Sequence, residues 1–238
     1  MEQTSIRENV LRVQERIHAA AHRAGRQAED ITLIGVSKTH SPAAIRVAFE
    51  AGLRHFGENR VQEWEGKHGE VSDLPATFHL IGHLQSNKAA RAAKLFHSID
   101  SIDDFPLAQR LERARSEEKA PEKLRVLIEV RLAQEETKSG ASMESLPSLA
   151  EKLIGLSALN LAGLMCIPPY AENIEDTRPY FRRLRELRDE LARRLGRALP
   201  VLSMGMSHDF AAAIEEGATE VRVGTAIFGA RDPAAAGP

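Results

Sequence analysis

Residues 31–52 read ITLIGVSKTHSPAAIRVAFEAG and contain one complete repeat of the chain's organisation. Ile31 to Val36 is a short apolar run rich in β-branched residues, too short for a typical helix and suited to a buried strand. Ser41-Pro42 then opens a helix through Phe49, with proline at the first helical position and Gly52 beyond the end. The alternation continues downstream. Strand candidates are His55–Gly57, Phe78–Ile81, Phe96–Ile99, Leu124–Val130, Leu159–Met165, Pro200–Ser203 and Glu220–Val223. Helical patterns fall between them, near residues 59–69, 87–95, 103–118, 142–154, 174–195 and 207–216, with a short helix at the end. Ahead of the first strand, residues 4–24 form an amphipathic helix. Thr4 is its candidate N-cap, Ile6, Val10, Val13 and Ile17 are its stripe, and Gly25 is its stop.

About eight strand–helix repeats after a leading helix is the count of an α/β chain folded as a (β/α)8 TIM barrel. An open doubly wound sheet would alternate in the same way and stands as the alternative. With no Pro/Gly/Ser-rich linker, residues 1–238 are expected to form one domain, the barrel covering about 31–231 and the tail from Asp232 fraying.

Composition narrows the function. Hydrophobic residues make up 42% and charged residues 28%, as in an ordinary globular protein with a full core. The net charge of −2, from 32 Lys+Arg against 34 Asp+Glu, gives no basic field for nucleic acid. The run Arg182-Arg-Leu-Arg-Glu-Leu-Arg188 mixes its charges with Leu at helical spacing, which reads as a solvated helix face. Cys166, the one cysteine, cannot form an internal disulfide, and no Cys/His pair has zinc spacing. The N-terminus lacks a signal core, and no apolar run approaches the ~18 residues that span a membrane. The expectation is a cytoplasmic protein without metal, membrane or nucleic-acid partners.

In a β/α barrel, chemistry collects where strands end. The first strand runs into Ser37-Lys38-Thr39-His40. Lysine there is either a rim residue whose ammonium reaches water, or a desolvated amine able to attack an aldehyde. The second strand runs into Gly57-Glu58-Asn59, where Asn59 caps the next helix or offers its amide to a ligand. After the third strand, Gly82 permits a tight turn, and Gln85, Asn87 and Lys88 crowd one loop. The last two strands end in Ser203-Met-Gly-Met-Ser207 and Arg222-Val-Gly-Thr225. Ser207, Gly224 and Thr225 read as a phosphate cup at helix N-termini, or as plain caps; both roles can coexist. Arg222 alternates with Val221 and Val223, so it faces the other side of its strand. An inward guanidinium offers only donors, and a pyridine nitrogen facing it would stay unprotonated.

The segments GVSKTH, FGENRVQE, FHLIGHLQSNK, TKSG, GLMCIP and SMGMSHDFAAAIEEGATEVRVGTAIFGAR stand in this order from about Ile31 to Arg231. Together they resemble the pyridoxal phosphate (PLP) homeostasis protein family, the small fold-type III PLP-binding proteins. The resemblance implies a single barrel like the N-terminal domain of alanine racemase, with PLP at its mouth. It implies that Lys38 carries PLP as a Schiff base and that Asn59 lies near the cofactor. It further implies that Ser207, Gly224 and Thr225 hold the phosphate, that Arg222 faces the ring nitrogen, and that Met204 and Met206 line the site. His83 departs from the proline of many relatives, which leaves the lining of that loop in doubt.

Two functions compete. The first is a carrier that buffers and delivers PLP, with PLP-dependent apoenzymes as its receivers and with little or no catalysis. The second is an amino-acid racemase, which needs an acid/base on each face of the substrate carbon. The tyrosines available for that role are Tyr170 and Tyr180, and Tyr170, after Pro168-Pro169, also reads as a loop aromatic over the barrel rim. The carrier reading leads, and a monomer is expected. A phosphate-binding module without covalent chemistry is disfavoured by Lys38.

Overall fold

The computed structural model describes residues 2–119, 121–133 and 139–229. Eight parallel strands pair in sequence order and close on themselves, so the sheet is a barrel and the open alternative falls. The leading helix α1 is Glu2–Arg23. The repeats then run β1 (Thr32–Val36), α2 (Pro42–Glu50), β2 (His55–Glu58), α3 (Val61–His68), β3 (Thr77–Leu80), α4 (Ala89–Leu95), β4 (Ser98–Ile102) and α5 (Phe105–Glu117). They continue with β5 (Leu124–Glu129), α6 (Leu146–Ile154), β6 (Leu159–Met165), α7 (Arg178–Leu195), β7 (Val201–Met206), α8 (Phe210–Glu215), β8 (Glu220–Val223) and α9 (Thr225–Phe228).

Local chemistry sets these boundaries. The Ser41 hydroxyl accepts from the Ala44 N–H at the start of α2, and Asp104 accepts from the Leu107 N–H at the start of α5. Gly196, at φ 62, turns the chain out of α7. Ile6, Val10, Val13 and Ile17 are buried as their spacing requires, and α1 packs across α2, α8 and α9. Thr4 lies inside α1, which begins at Glu2, so it is not the residue at which the helix starts. The fourth strand is displaced from the expected Phe96–Ile99: Phe96 joins the helix-side core, and the polar Ser98, Asp100 and Ser101 are buried within β4. Short 3-10 turns at Ser86–Lys88 and Ile174–Thr177 precede α4 and α7, and α8 starts only at Phe210. Arg231 and the tail from Asp232 lie outside the described residues.

The cross-strand register identifies the interior face. Thr32 pairs with Glu220, Ile34 with Arg222 and with His55, and Val36 with Gly57. Paired residues on parallel strands point the same way, so these side chains share the barrel interior. Its lower half is polar. A His55 nitrogen lies 3.0 Å from one of His79, and the other His79 nitrogen lies 3.1 Å from Asp100. Ser98 donates to Asp100, and Arg125 donates to Glu220 at 2.5 Å. His79, Asp100 and Glu220 would also suit a cation by type, but the Arg125 guanidinium already supplies the positive charge between them. Above this plug, Leu127, Ala162, Met165 and Val201 pack as an apolar layer.

Burial, reinforced by His79 and Arg125, lowers the His55 pKa to about 4, and burial lowers that of His97 as well. A histidine kept neutral in the fold but free to protonate when unfolded contributes stability above its unfolded pKa, lost as pH falls. Unfolding free energy should therefore decline as pH drops from about 6.5 towards 4. His55→Asn should flatten that decline in urea titrations across the window; an unchanged slope would assign it to other groups.

Candidate functional site

The C-terminal mouth of the barrel is built from two sides. On the first, β1 runs out into Ser37-Lys38-Thr39-His40. Strand alternation carries Lys38 onto the interior face shared by Ile34 and Val36, and the residue is half-buried there. Thr39 adopts φ 66, a left-handed conformation uncommon for a β-branched residue. Its N–H donates to Glu63 Oε1 at 2.5 Å. The Ser37 hydroxyl donates to the buried Glu58 at 2.6 Å. Lys67, in the last turn of α3, donates to the carbonyls of Ser37 and His40 at 3.0 and 3.4 Å. It also pairs with Glu58 and Glu63, each at 2.9 Å. Burial pushes the Glu58 carboxyl up against the opposing pull of Lys67 and Ser37. For Glu63 burial pushes in the same direction, but the Thr39 N–H and Lys67 outweigh it and hold the group below the usual carboxylate range.

On the second side, Arg222 is only 3% exposed. Its guanidinium donates to the Ser203 hydroxyl and to the Cys166 carbonyl, both at 2.8 Å. Burial pushes the Cys166 thiol up to about 12, so the sulfur is not a ready nucleophile. Beyond Ser203 the strand is irregular: Gly205 has φ 91, and Met206 becomes the register partner of Arg222. A Cβ at Gly205 would sit 2.6 Å from that of Ala213, so the absence of a side chain lets α8 approach. Asp209 accepts from the Met206 N–H at 2.7 Å and fixes the turn. Ser207 Oγ then accepts from the N–H groups of Gly224 and Ala226 at 3.2 and 3.4 Å. Thr225 is exposed in the same turn, so Ser207, Gly224 and Thr225 come together as expected.

The two sides touch. β1 pairs with β8, a Cβ on Gly224 would lie 3.4 Å from Val36 Cβ, and the His40 ring stacks on Phe228 with centroids 4.9 Å apart. Met206, 36% exposed, lies at this rim. Met204 does not: it is fully buried among the helix-side core residues. Ser203 faces the interior, so its neighbour Met204 faces the helices, and only the irregularity after it returns Met206 to the mouth. Met204 therefore does not line the mouth, contrary to what the resemblance implies.

Asn59 is half-buried at the end of β2, and the N-cap of α3 is Arg60, so Asn59 does not cap that helix. Gly82 is needed for contact rather than for a turn: a Cβ there would lie 2.4 Å from the Asn59 carbonyl oxygen. Exposed His83 lies 3.4 Å from Asp103. Gln85 and Asn87 are exposed on the same loop, and Lys88 is half-buried. Burial raises the carboxyls of Asp103 and Glu129, opposed by His83 and by Arg222 respectively. Tyr170 is 80% exposed with its ring 5.7 Å from His208, the packing of a loop aromatic, and Tyr180 lies on α7. Thr137 and Lys138 of the TKSG segment lie outside the described residues.

Sequence reading missed Glu58, Glu63 and Lys67. The available signal was the Glu63/Lys67 spacing of four on a short helix, which usually marks a surface pair. As a whole, the mouth offers an amine on one wall, amide and hydroxyl donors on the adjoining wall, and a buried guanidinium on β8. That donor set suits an anionic ligand carrying an electrophile.

Comparison with known proteins agrees with this geometry. The family described as alanine racemase, N-terminal domain, matches residues 4–232. A pyridoxal phosphate homeostasis protein of Aquifex aeolicus is 49% identical over 94% of this chain and 97% of its own length. The solved structure of PipY from Synechococcus elongatus with PLP bound shares 39% identity at a TM-score of 0.80, covering 91% of this chain and all of PipY. Alanine racemase of Clostridium difficile shares the fold at 15% identity and a TM-score of 0.75, but this chain spans only 57% of it.

Gly82→Ala tests the contact between the mouth loops. It should lower the unfolding free energy by about 1–3 kcal/mol in urea denaturation, the range for overpacking. An unchanged midpoint would show that the Asn59 loop yields freely.

Proposed function

Because this chain belongs to the pyridoxal phosphate homeostasis protein family, built on the alanine racemase N-terminal domain fold, we propose that it binds PLP at the barrel mouth for buffering and delivery. The observation that carries this reading is the pair of adjoining walls: Lys38 on one, and on the other Ser207 Oγ receiving the Gly224 and Ala226 N–H groups. Amides already directed at one oxygen suit a phosphate oxygen, and both belong to the turn that opens α9. The residues fit the cofactor. Lys38 holds it covalently through Nζ; Ser207, Gly224 and Thr225 take the phosphate; Asn59 and Met206 line the space between.

When bound, PLP supplies an aldehyde electrophile and an aromatic ring that can act as an electron sink. Arg222 limits the second property. Its guanidinium has only N–H donors and does not give up its proton, so a ring nitrogen set against it stays unprotonated. Lys38 sequesters the aldehyde from other amines. The molecule thus works as a carrier rather than a catalyst, in a reducing cytoplasm, as a monomer, with PLP-dependent apoenzymes as receivers. Among the described residues no helix is long and apolar enough to cross a membrane. Racemisation would require a second acid/base, and Tyr170, at 80% exposure, is packed as a rim aromatic.

Purified protein given PLP should turn yellow and, after borohydride, carry the added mass on the Lys38 peptide. Lys38→Ala should lose the colour yet retain weak binding. Ser207→Ala should weaken PLP affinity roughly tenfold or more, the worth of a hydrogen bond to a charged group. A colourless wild-type protein would refute the reading. Chiral analysis after incubation with L-amino acids should show no turnover; sustained conversion to D-isomers would replace the carrier with a racemase.

A further inference from the structure

Lys67 is among the buried charged residues of the described structure, and its position makes that notable. A lysine in the last turn of a helix ordinarily runs its stem along the surface and leaves its ammonium in water. Lys67 instead turns inward beneath the β1–α2 connection. Its ammonium lies within hydrogen-bond reach of four oxygens: the Ser37 and His40 carbonyls, Glu58 and Glu63. The two carbonyls bracket Lys38 and Thr39. The Ser37 carbonyl also accepts the His40 N–H at 3.1 Å, which closes the turn.

The turn is not one the chain would adopt unaided. A left-handed threonine persists only where its surroundings over-determine it. Glu63 anchors the Thr39 N–H, Lys67 anchors Glu63, and Glu58 receives both Lys67 and the Ser37 hydroxyl. Ser37 and Glu58 lie on the helix side of their strands, whereas Lys38 lies on the interior side, as alternation requires. The cluster therefore touches the backbone on either side of Lys38 from behind. Without it Thr39 is free to relax towards ordinary backbone angles, which changes the direction in which the Lys38 side chain leaves the chain.

We propose that Lys67, with Glu58 and Glu63, is a positioning group: its buried ammonium locks the Ser37–His40 turn so that the Lys38 amine is presented to the barrel mouth. This deepens the reading of Lys38 as the cofactor amine and rests on it. The three residues touch no ligand and act only through the turn.

The test uses the full chain carrying Glu63→Ala, Glu63→Gln, or the charge-neutral pair Glu58→Gln with Lys67→Met. Glu63 has a side chain 28% exposed, which makes Glu63→Ala the variant that retains the fold most readily. Two readouts are taken beside a thermal melt. The first is the rate of cyanoborohydride trapping of PLP on Lys38, resolved by peptide mass spectrometry. The second needs no PLP: trace labelling of the Lys38 amine by acetic anhydride, relative to Lys88. Glu63→Ala and the paired variant should slow trapping at least fivefold and change Lys38 labelling while binding of inorganic phosphate stays within twofold. Glu63→Gln, which keeps an oxygen acceptor for the Thr39 N–H, should restore trapping to within twofold of the parent. Folded variants with a lowered melting temperature but parental trapping and labelling would overturn the proposal and leave the cluster a purely structural one. A parent protein that takes no PLP on Lys38 would refute the carrier reading instead, and the labelling arm would still decide the role of Lys67.

Discussion

The structure depends on one constraint: closure of the sheet, which sets β1 against β8 in the register Ile34 to Arg222. These strands lie at opposite ends of the sequence, and only closure makes them neighbours. It brings the Lys38 turn beside the Gly224 turn and lays His40 on Phe228. An open sheet would leave Lys38 and the Ser207–Gly224 contact on separate edges. The leading helix serves the same end, packing over α2, α8 and α9 where the first and last repeats meet.

Closure also sorts side chains by parity. Residues in one register row share a face, so the interior holds Arg222 and Ser203 while Met204 and Leu202 go to the helix-side core. Function is then distributed along the barrel axis. The lower interior is filled by the His55, His79, Asp100, Arg125 and Glu220 network, and the middle by an apolar layer. The mouth carries the groups proposed for the cofactor. Buried ions cost much desolvation unless they are mutually paired. Buried Lys67 meets that requirement with Glu58 beneath the Lys38 turn, and buried Glu220 meets it with the half-buried Arg125 at the base of the barrel.

Much of this was legible in the sequence. Alternating strand and helix signals gave the barrel, because apolar runs such as Ile31–Val36 and capped starts such as Ser41-Pro42 report local physics. The grouping of Ser207, Gly224 and Thr225 is also readable, since the last two strands run out into small and hydroxyl-bearing residues. Three features were not. The bounds of β4 are hidden because Ser98, Asp100 and Ser101 look like a loop unless their partners in the fold are known. The burial of Met204 is hidden because a motif carries no strand parity, and the irregularity between Ser203 and Met206 changes it in mid-motif. The role of Lys67 is hidden because its partners, the carbonyls of Ser37 and His40, lie about thirty residues upstream on another repeat.

The most direct test is a crystal structure of the protein grown with PLP. The expected result is continuous density from Lys38 Nζ to the cofactor, the phosphate in the cup of Ser207, Gly224 and Thr225, and the ring nitrogen towards Arg222. Cofactor attached to a different lysine, or a phosphate seated away from Ser207 and Gly224, would contradict it.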